Sequence, residues 1–242
     1  ENKQKLNLTN QNDVFKYLTK KKPDGVILAA AKVGGIVANN TDRASFIYEN
    51  LSIQSNVIHG SYLAGVKNLI FLGSSCIYPG QSKQPIKESY LLSNYLEKTN
   101  EPYAIAKISG IKLCSSIREQ YGFDAISLMP TNLYGPRDNY HPTNSHVLPS
   151  LINKFHNAKK KGVPSVTCWG TGSPRRELLY VEDLAEAVIF VLENISSDNE
   201  SLFDKYSNYL GILNVGIGTD TPINKLADLV AAEFDYKGEI VW

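Results

Sequence analysis

The sequence has few cysteines, almost no net charge and no long hydrophobic run, and each absence excludes a class of protein. Its three cysteines, Cys76, Cys114 and Cys168, are odd in number and widely spaced, which argues against a disulfide framework or a zinc site. A formal net charge of +1 gives no reason to expect a nucleic-acid or membrane partner. No apolar run approaches the ~18 to 20 residues that a membrane helix requires. We therefore predict a reducing, cytoplasmic setting and no bound metal.

Two further features are missing at the ends of the sequence. It begins at Glu1 without a methionine or a signal-peptide pattern. Its last residues, 238–242, are typical of a strand that is still in progress. From these features we expect the sequence to be a segment of a longer protein.

What the chain does contain is an alternation of apolar strands and amphipathic helices. The 242 residues suffice for one substantial domain, or for a large and a small lobe. Patterns of this kind predict a parallel sheet with helices on both faces. The predicted strands are 26–30, 69–72, 125–129, 165–169 and one ending at Gly216; the predicted helices are 43–64, 102–121, 146–161, 182–193 and one opening at Pro222. A polar stretch, 196–207, is predicted to be a surface insertion.

A tyrosine and a lysine four residues apart, Tyr103 and Lys107, are the strongest sign of chemistry. Residues at this spacing share one face of a helix, so a phenol would lie beside an ammonium group. A free tyrosine titrates near pH ~10, and a nearby positive charge favours its phenolate. Ser74 follows an apolar strand, and ligands bind at the carboxyl ends of strands in open parallel sheets. Together the three residues indicate a carbonyl reductase site.

Four longer strings carry a family resemblance. They are AAAKVGGI at 29–36, GSSCIYP at 73–79, NEPYAIAK at 100–107 and MPTNLYGP at 129–136. With these strings, the chain resembles the nucleotide-sugar members of the extended short-chain dehydrogenase/reductase family over nearly its whole length. The resemblance implies a Rossmann-like, doubly wound parallel sheet and a smaller α/β substrate lobe. Residues 1–140 would form the dinucleotide-binding domain, and 141–242 mainly the substrate lobe, with some segments returning to the sheet.

The resemblance also implies an activity and a set of catalytic roles. The expected enzyme is an NADPH-dependent oxidoreductase that epimerises GDP-4-keto-6-deoxy-D-mannose at C3 and C5 and then reduces C4. Tyr103 would be the general acid of reduction, and Lys107 would lower its pKa and hold the nicotinamide ribose. Ser74 would bind the C4 carbonyl, Cys76 would be the base of epimerisation, and His146 would return protons on the opposite face. A homodimer built through the two long helices is also implied.

Further binding residues follow from the same resemblance. Those implied for the cofactor are Ala29, Ala30, Ala31, Leu72, Gly73, Ser74, Ser75, Tyr103, Lys107, Pro130, Thr131, Asn132, Leu133 and His146. Those implied for the GDP-sugar are Lys154, Trp169 and Arg176. A planar guanidinium such as that of Arg176 suits a diphosphate because it pairs with two anionic oxygens at once.

The lack of a glycine-rich cofactor turn keeps alternatives open. The family opens with a Gly-x-x-Gly-x-x-Gly turn that seats the cofactor pyrophosphate at a helix N-terminus, and this sequence contains no such turn. The alternatives are another nucleotide-sugar epimerase/reductase and a shortened, non-catalytic sugar-nucleotide binder.

If residues 74–76 are extended, Ser74 and Cys76 point the same way, so that one carbonyl could lie between the two functions.

Overall fold

The computed structural model describes residues 6–142 and 144–242, which form seven α-helices and ten short strands. The helices are α1 (Gln11–Lys21), α2 (Ile36–Thr41), α3 (Arg43–Leu63), α4 (Glu101–Tyr121), α5 (Val147–Lys161), α6 (Val181–Asn194) and α7 (Ile223–Glu233). The strands are β1 (Gly25–Leu28), β2 (Asn68–Leu72), β3 (Asp124–Pro130), β4 (Asn132–Tyr134), β5 (Ser165–Thr167), β6 (Arg175–Arg176), β7 (Leu178–Tyr180), β8 (Ile212–Val215), β9 (Thr221–Pro222) and β10 (Glu239–Val241).

The chain divides into two compact units. The first contains residues up to 33, 39–130 and 184–215, and the second contains 34–38, 131–183 and 216–242. A parallel sheet of order β1-β2-β3-β8 forms the centre of the first unit. Its middle strands are apolar and buried on both faces, as a parallel sheet covered by helices requires. The predicted α/β fold with a parallel sheet is confirmed.

Helices α3 and α4 pack closely together within the first unit, and a glycine permits the approach. A Cβ at Gly110 of α4 would lie 2.6 Å from Cζ of Phe71 and 3.0 Å from Cδ of Gln54. The Gln54 amide in α3 donates a hydrogen bond to the carbonyl of Ala106 in α4. Because α4 also contacts the sheet, this packing fixes the helix that bears Tyr103.

The second unit has its own small core. Apolar residues of α5 and α7, including Leu151, Phe155 and Ala227, are buried against Val166 of β5. Three two-stranded pairs complete the unit: β4 with β7 and β5 with β10 are parallel, and β6 with β9 is antiparallel.

Several predicted boundaries differ from the structure. The first and fourth predicted strands end two residues early, at Leu28 and Thr167, and α1 and α2 were not predicted. The polar insertion is not wholly on the surface, because Leu202 is fully buried on a short 3₁₀ turn and Ser197 is buried as well. Leu202 therefore anchors this mainly polar segment. Among the described residues, no helix combines the length and apolar character needed to cross a membrane.

Candidate active site

The Gly-Ser-Ser-Cys string starts at the carboxyl end of β2, pressed against the neighbouring strand. The N–H of Gly73 donates to the carbonyl of Leu128 in β3 at 2.8 Å. A Cβ at position 73 would lie 2.3 Å from Cε of Met129, closer than any real Cβ contact. A larger residue here would therefore displace the end of the Met129 side chain, and the hydrogen bond of Gly73 anchors the start of the string on β3.

Ser74 and Cys76 lie on a turn and not on an extended segment, so the condition under which their side chains would point the same way is not met. Ser74 is extended, but residues Ser75–Ile77 form a 3₁₀ turn. The Ser74 hydroxyl accepts a hydrogen bond from the N–H of Cys76 at 3.4 Å, and the Ser74 carbonyl accepts one from Ile77 at 3.2 Å. The reason is that serine caps a helical turn by accepting from the backbone, which outweighs continued extension.

Lys107 is a buried cation held beside the end of β2. Only 3% of the residue is exposed, and its ammonium donates to the carbonyl of Leu72 at 2.7 Å. The ammonium nitrogen also lies 4.8 Å from the ring centroid of Phe71 and 5.8 Å from that of Tyr103. Burial lowers the pKa of Lys107 to about 8, although the charge of the Cys76 thiolate acts to raise it.

Tyr103 lies in the first turn of α4, with its ring edge-on to that of Phe46 at 6.3 Å between centroids. Burial raises the pKa of the Tyr103 phenol above its ordinary value, and the charge of the Cys76 thiolate adds to this effect. The expected lowering of this pKa by Lys107 is therefore wrong for the protein by itself. The physical reason is that a phenolate loses its hydration on burial, while the ammonium of Lys107 donates to a backbone carbonyl instead.

Cys76 has the protonation state of a thiol at neutral pH. Burial raises its pKa to about 11, while a hydrogen bond with Ser74 and the charge of Lys107 act to lower it. Cys76 is nevertheless partly exposed, whereas Cys114 and Cys168 are buried. Cys76 is therefore the most accessible thiol in the chain.

A buried asparagine, missed by the sequence reasoning, joins the loop after β1 to α3. Asn50 is 2% exposed, and its amide accepts from the N–H of Lys32 at 2.9 Å and donates to the same residue's carbonyl at 3.0 Å. It also donates to the carbonyl of Phe46, whose ring contacts Tyr103. The sequence signal that could have indicated this buried position is a polar residue in the middle of the predicted helix 43–64.

The residues around the strand ends suit a dinucleotide. Ala29 and Ala30 are exposed just after β1, and their methyl side chains leave the backbone open to approach. Ser74 and Tyr103 supply hydroxyl groups, and Lys107 supplies an ammonium group. All three can donate hydrogen bonds to the oxygen atoms of a ribose or a carboxamide. This set of donors in the first unit fits the cofactor that the resemblance implies.

The remaining predicted residues belong to the second unit. His146 is exposed and directly precedes α5, where its carbonyl accepts from Ser150 at 3.0 Å. The ammonium of Lys154 donates to the carbonyl of Thr167 at 2.8 Å and lies 5.1 Å from the Trp169 ring. Trp169 is 66% exposed, so its indole face is accessible to a ligand. The predicted contact between Trp169 and a ligand stays a prediction.

Adjacent arginines in β6 differ in their pairing. Arg175 is paired with Asp220, through Nε to the carboxylate at 2.7 Å and Nη2 to the carbonyl at 3.0 Å. Arg176 donates one bond, from Nη1 to the carbonyl of Arg175, and no carboxylate among the described residues lies within salt-bridge distance of it. Arg176 therefore retains donors for an anionic ligand.

The loop that joins β3 to β4 supplies the last predicted residues. Pro130 ends β3, and β4 begins at Asn132. Asn132 donates twice to the carbonyl of Glu177, from its N–H at 3.1 Å and from its amide at 3.0 Å. The hydroxyl of Thr131 is buried and has no hydrogen-bond partner among the described residues. Such an orphaned hydroxyl is available to a bound group.

Comparison with known proteins identifies the family. Over residues 2–207 the chain matches the NAD dependent epimerase/dehydratase family. It is 56% identical to GDP-L-fucose synthase 1 of Arabidopsis thaliana over 237 residues, covering 98% of this chain and 70% of the relative. It is 52% identical to GDP-L-fucose synthase of Escherichia coli strain K12, covering 98% and 73% respectively.

A solved structure supports the same assignment. The structure of a GDP-mannoheptose C4 reductase from Campylobacter jejuni with NADP bound is similar, with a TM-score of 0.89 and 39% identity. The match covers 100% of this chain and 76% of that one. The Rossmann-like α/β fold predicted from the sequence is therefore confirmed. The chain belongs to the NAD dependent epimerase/dehydratase family.

Proposed function

We propose that this protein converts GDP-4-keto-6-deoxy-D-mannose to GDP-L-fucose by 3,5-epimerisation and NADPH-dependent reduction at C4. The observation that carries the proposal is the grouping of Ser74, Cys76, Tyr103 and Lys107 in one unit, with Lys107 buried beside the end of β2. Relatives that share more than half of its residues are named GDP-L-fucose synthases.

In the reductive step, Ser74 and Tyr103 act on the C4 carbonyl oxygen. A bound NADPH supplies the hydride. The raised pKa of Tyr103 keeps the phenol protonated, so it can donate to the developing alkoxide. The ammonium of Lys107 stabilises the phenolate that remains after this transfer, and it holds the cofactor ribose. The hydroxyl of Ser74 orients the carbonyl.

In the epimerising step, the same carbonyl acidifies the C–H bonds at C3 and C5. Cys76, on the turn that follows Ser74, removes each proton, and His146 returns one on the opposite face. A thiolate is required for the first transfer. Ser74 and Lys107 both act to lower the pKa of Cys76, which makes them the groups that favour its ionisation.

Groups of the second unit would bind the sugar nucleotide. Arg176 has unpaired donors for the diphosphate, and Trp169 with Lys154 offers an indole face next to a cation for the base. Residues 1–140 would be the dinucleotide-binding domain, and 141–242 mainly the substrate lobe. The family resemblance supports a homodimer through α3 and α4, and three free cysteines are consistent with a cytoplasmic setting.

A second candidate is a C4 reductase that does not epimerise. The similarity to the Campylobacter jejuni reductase favours it, because that protein shares the fold and is named only for reduction. The presence of Cys76 and His146 favours the first proposal, since reduction alone needs neither of them. A non-catalytic sugar-nucleotide binder is the remaining alternative.

One experiment separates these functions. The intact protein, expressed from its own gene, is incubated with NADPH and GDP-4-keto-6-deoxy-D-mannose in deuterated water, and the product is analysed by NMR. We expect NADPH oxidation together with deuterium at C3 and C5 of an L-fuco product. Oxidation without deuterium would assign a simple C4 reductase. Absence of both would contradict an enzymatic function.

A further inference from the structure

A tyrosine, an asparagine and a glutamate from distant parts of the sequence form a hydrogen-bonded network beside the Cys76 turn (residues 74–77). Tyr78, which follows this turn directly, is 4% exposed. Its hydroxyl donates to Oδ1 of Asn214 in β8 at 2.6 Å. The Asn214 amide donates to the carbonyl of Ile86 at 3.0 Å, and the backbone N–H of Asn214 donates to Glu88 at 3.0 Å.

The network attaches the far end of the Cys76 turn to the sheet. At the near end, Gly73 is fixed on β3 by its bond to Leu128 and by its contact with Met129. At the far end, the N–H of Tyr78 bonds to the carbonyl of Ser75 at 3.3 Å, and the phenol reaches Asn214. Since Met129 and Asn214 are register partners, the two attachments lie on neighbouring strands. The turn is therefore held at both ends.

We propose that Tyr78 and Asn214 are positioning residues that hold Cys76 in place for proton transfer. The inference rests on the proposed function, because it assigns these residues to the epimerising half of that reaction. Neither residue was singled out by the sequence reasoning, and neither is given a role in the chemistry itself.

The geometry separates this role from that of the groups used in reduction. Tyr103 and Lys107 are held by α4, and Ser74 adjoins the attachment at Gly73. Cys76 lies nearer the Tyr78 end of the turn. Burial and the charge of Glu88 raise the pKa of Tyr78, so its hydroxyl remains a donor to Asn214 across the physiological range. Loss of the Tyr78–Asn214 bond should therefore affect epimerisation more than reduction.

The test is a double-mutant cycle on the intact protein. Tyr78→Phe, Asn214→Ala and the double variant are assayed for deuterium wash-in at C3 and C5 and, separately, for reduction of the pre-epimerised ketone. We expect each single variant to slow wash-in about five- to tenfold, as the loss of one hydrogen bond allows. Reduction should change by less than about twofold, and the double variant should be no slower than Asn214→Ala.

Tyr95→Phe is the matched control, since Tyr95 lies in the loop after the turn but is 91% exposed. It should change neither rate. Equal losses of epimerisation and reduction, or additive effects in the double variant, would overturn the proposed positioning role. A preserved melting temperature in Tyr78→Phe ensures that the comparison is made on folded protein.

Alkylation of Cys76 by iodoacetamide provides a measurement that does not depend on activity. Release of the turn should raise the alkylation rate about fivefold in Tyr78→Phe and Asn214→Ala, but not in Tyr95→Phe. An unchanged rate would refute the attachment even if the enzyme is active. Absence of catalysis in the wild-type protein, with increased alkylation in the two variants, would overturn the proposed function and not the attachment.

Discussion

At the scale of single residues, burial decides which groups carry charge. The pKa of Lys107 is lowered to about 8 and that of Cys76 is raised to about 11, so at neutral pH Lys107 remains mostly an ammonium while Cys76 is a thiol. Each charge would in turn favour the other, because a thiolate acts to raise the pKa of Lys107 and an ammonium acts to lower that of Cys76. Ionisation of one group therefore depends on the state of the other.

The alkylation of Cys76 should have an alkaline pH profile. Because the thiolate is the reactive form, we expect the iodoacetamide rate of the ligand-free protein to rise with a midpoint near about 11, as the raised pKa requires. The rate is measured by mass spectrometry of the Cys76 peptide. A midpoint at or below the ordinary thiol value of 9.0 would contradict the account.

The buried ammonium of Lys107 should make stability depend on pH. Its pKa falls from an ordinary 10.5 to about 8 on folding, so the folded protein binds fewer protons than the unfolded chain between these values. The unfolding free energy of the wild type should therefore rise relative to that of Lys107→Met as pH increases through this window, by up to about 3 kcal/mol. Urea unfolding at a series of pH values measures the difference. A flat or falling difference would refute the assignment.

Arg176 and Arg175 offer a matched pair for testing substrate binding. Arg176→Gln should raise the KM for the GDP-sugar about tenfold or more, because a diphosphate would lose a bidentate, charge-assisted partner. Arg175→Gln should leave KM nearly unchanged, since that side chain already pairs with Asp220. Steady-state kinetics on both variants measure these KM values. Equal effects on KM would remove Arg176 from the diphosphate site.

At the scale of elements, the contact between α3 and α4 depends on the absence of a side chain at Gly110. A Cβ there would lie 2.6 Å from Phe71, whose ring is fully buried, so the sheet and helix would have to separate. We expect Gly110→Ala to lower the unfolding free energy by about 1–3 kcal/mol despite the better helix propensity of alanine. Thermal or urea unfolding measures the change.

Ser116→Ala is the control for Gly110→Ala, because Ser116 is an exposed residue of the same helix. It should be neutral or slightly stabilising, within about 0.5 kcal/mol. A Gly110→Ala variant as stable as the wild type would show that α3 and α4 are packed less closely than the structure indicates.

The long elements were predictable from the sequence because their signals are local. Helix α4 has Pro102 in its first turn and Gly122, with φ of 72°, directly after its end, and both residues mark helix boundaries. The exact conformation at Ser74 could not be predicted, because the same serine is compatible with a strand and with a cap. Only the backbone geometry decides between these conformations.

The parts of the site that could not be predicted depend on burial and on distant pairs. The raised pKa of Tyr103 follows from loss of hydration, which the spacing of Tyr103 and Lys107 does not reveal. Tyr78 and Asn214 are separated by 136 positions in the sequence. No local pattern predicts that contact, since it arises only when β3 and β8 pair.

At the scale of the whole molecule, the proposed chemistry is divided between two units whose segments alternate along the chain. The first unit holds Ser74, Cys76, Tyr103 and Lys107, and the second holds His146. The chain leaves the first unit after Pro130 and returns to it at Leu184 to supply β8. The residues assigned to the proposed chemistry therefore come from segments that lie far apart in the sequence.

The central claim is that one site performs two separable reactions, and Cys76→Ser tests it most directly. In the intact protein, this variant should lose deuterium wash-in at C3 and C5 by about 100-fold or more, because a serine hydroxyl is a far weaker acid and hence ionises less readily. It should still oxidise NADPH with the pre-epimerised ketone at a rate within about threefold of the wild type. Equal loss of both reactions, or wash-in that persists, would contradict the account.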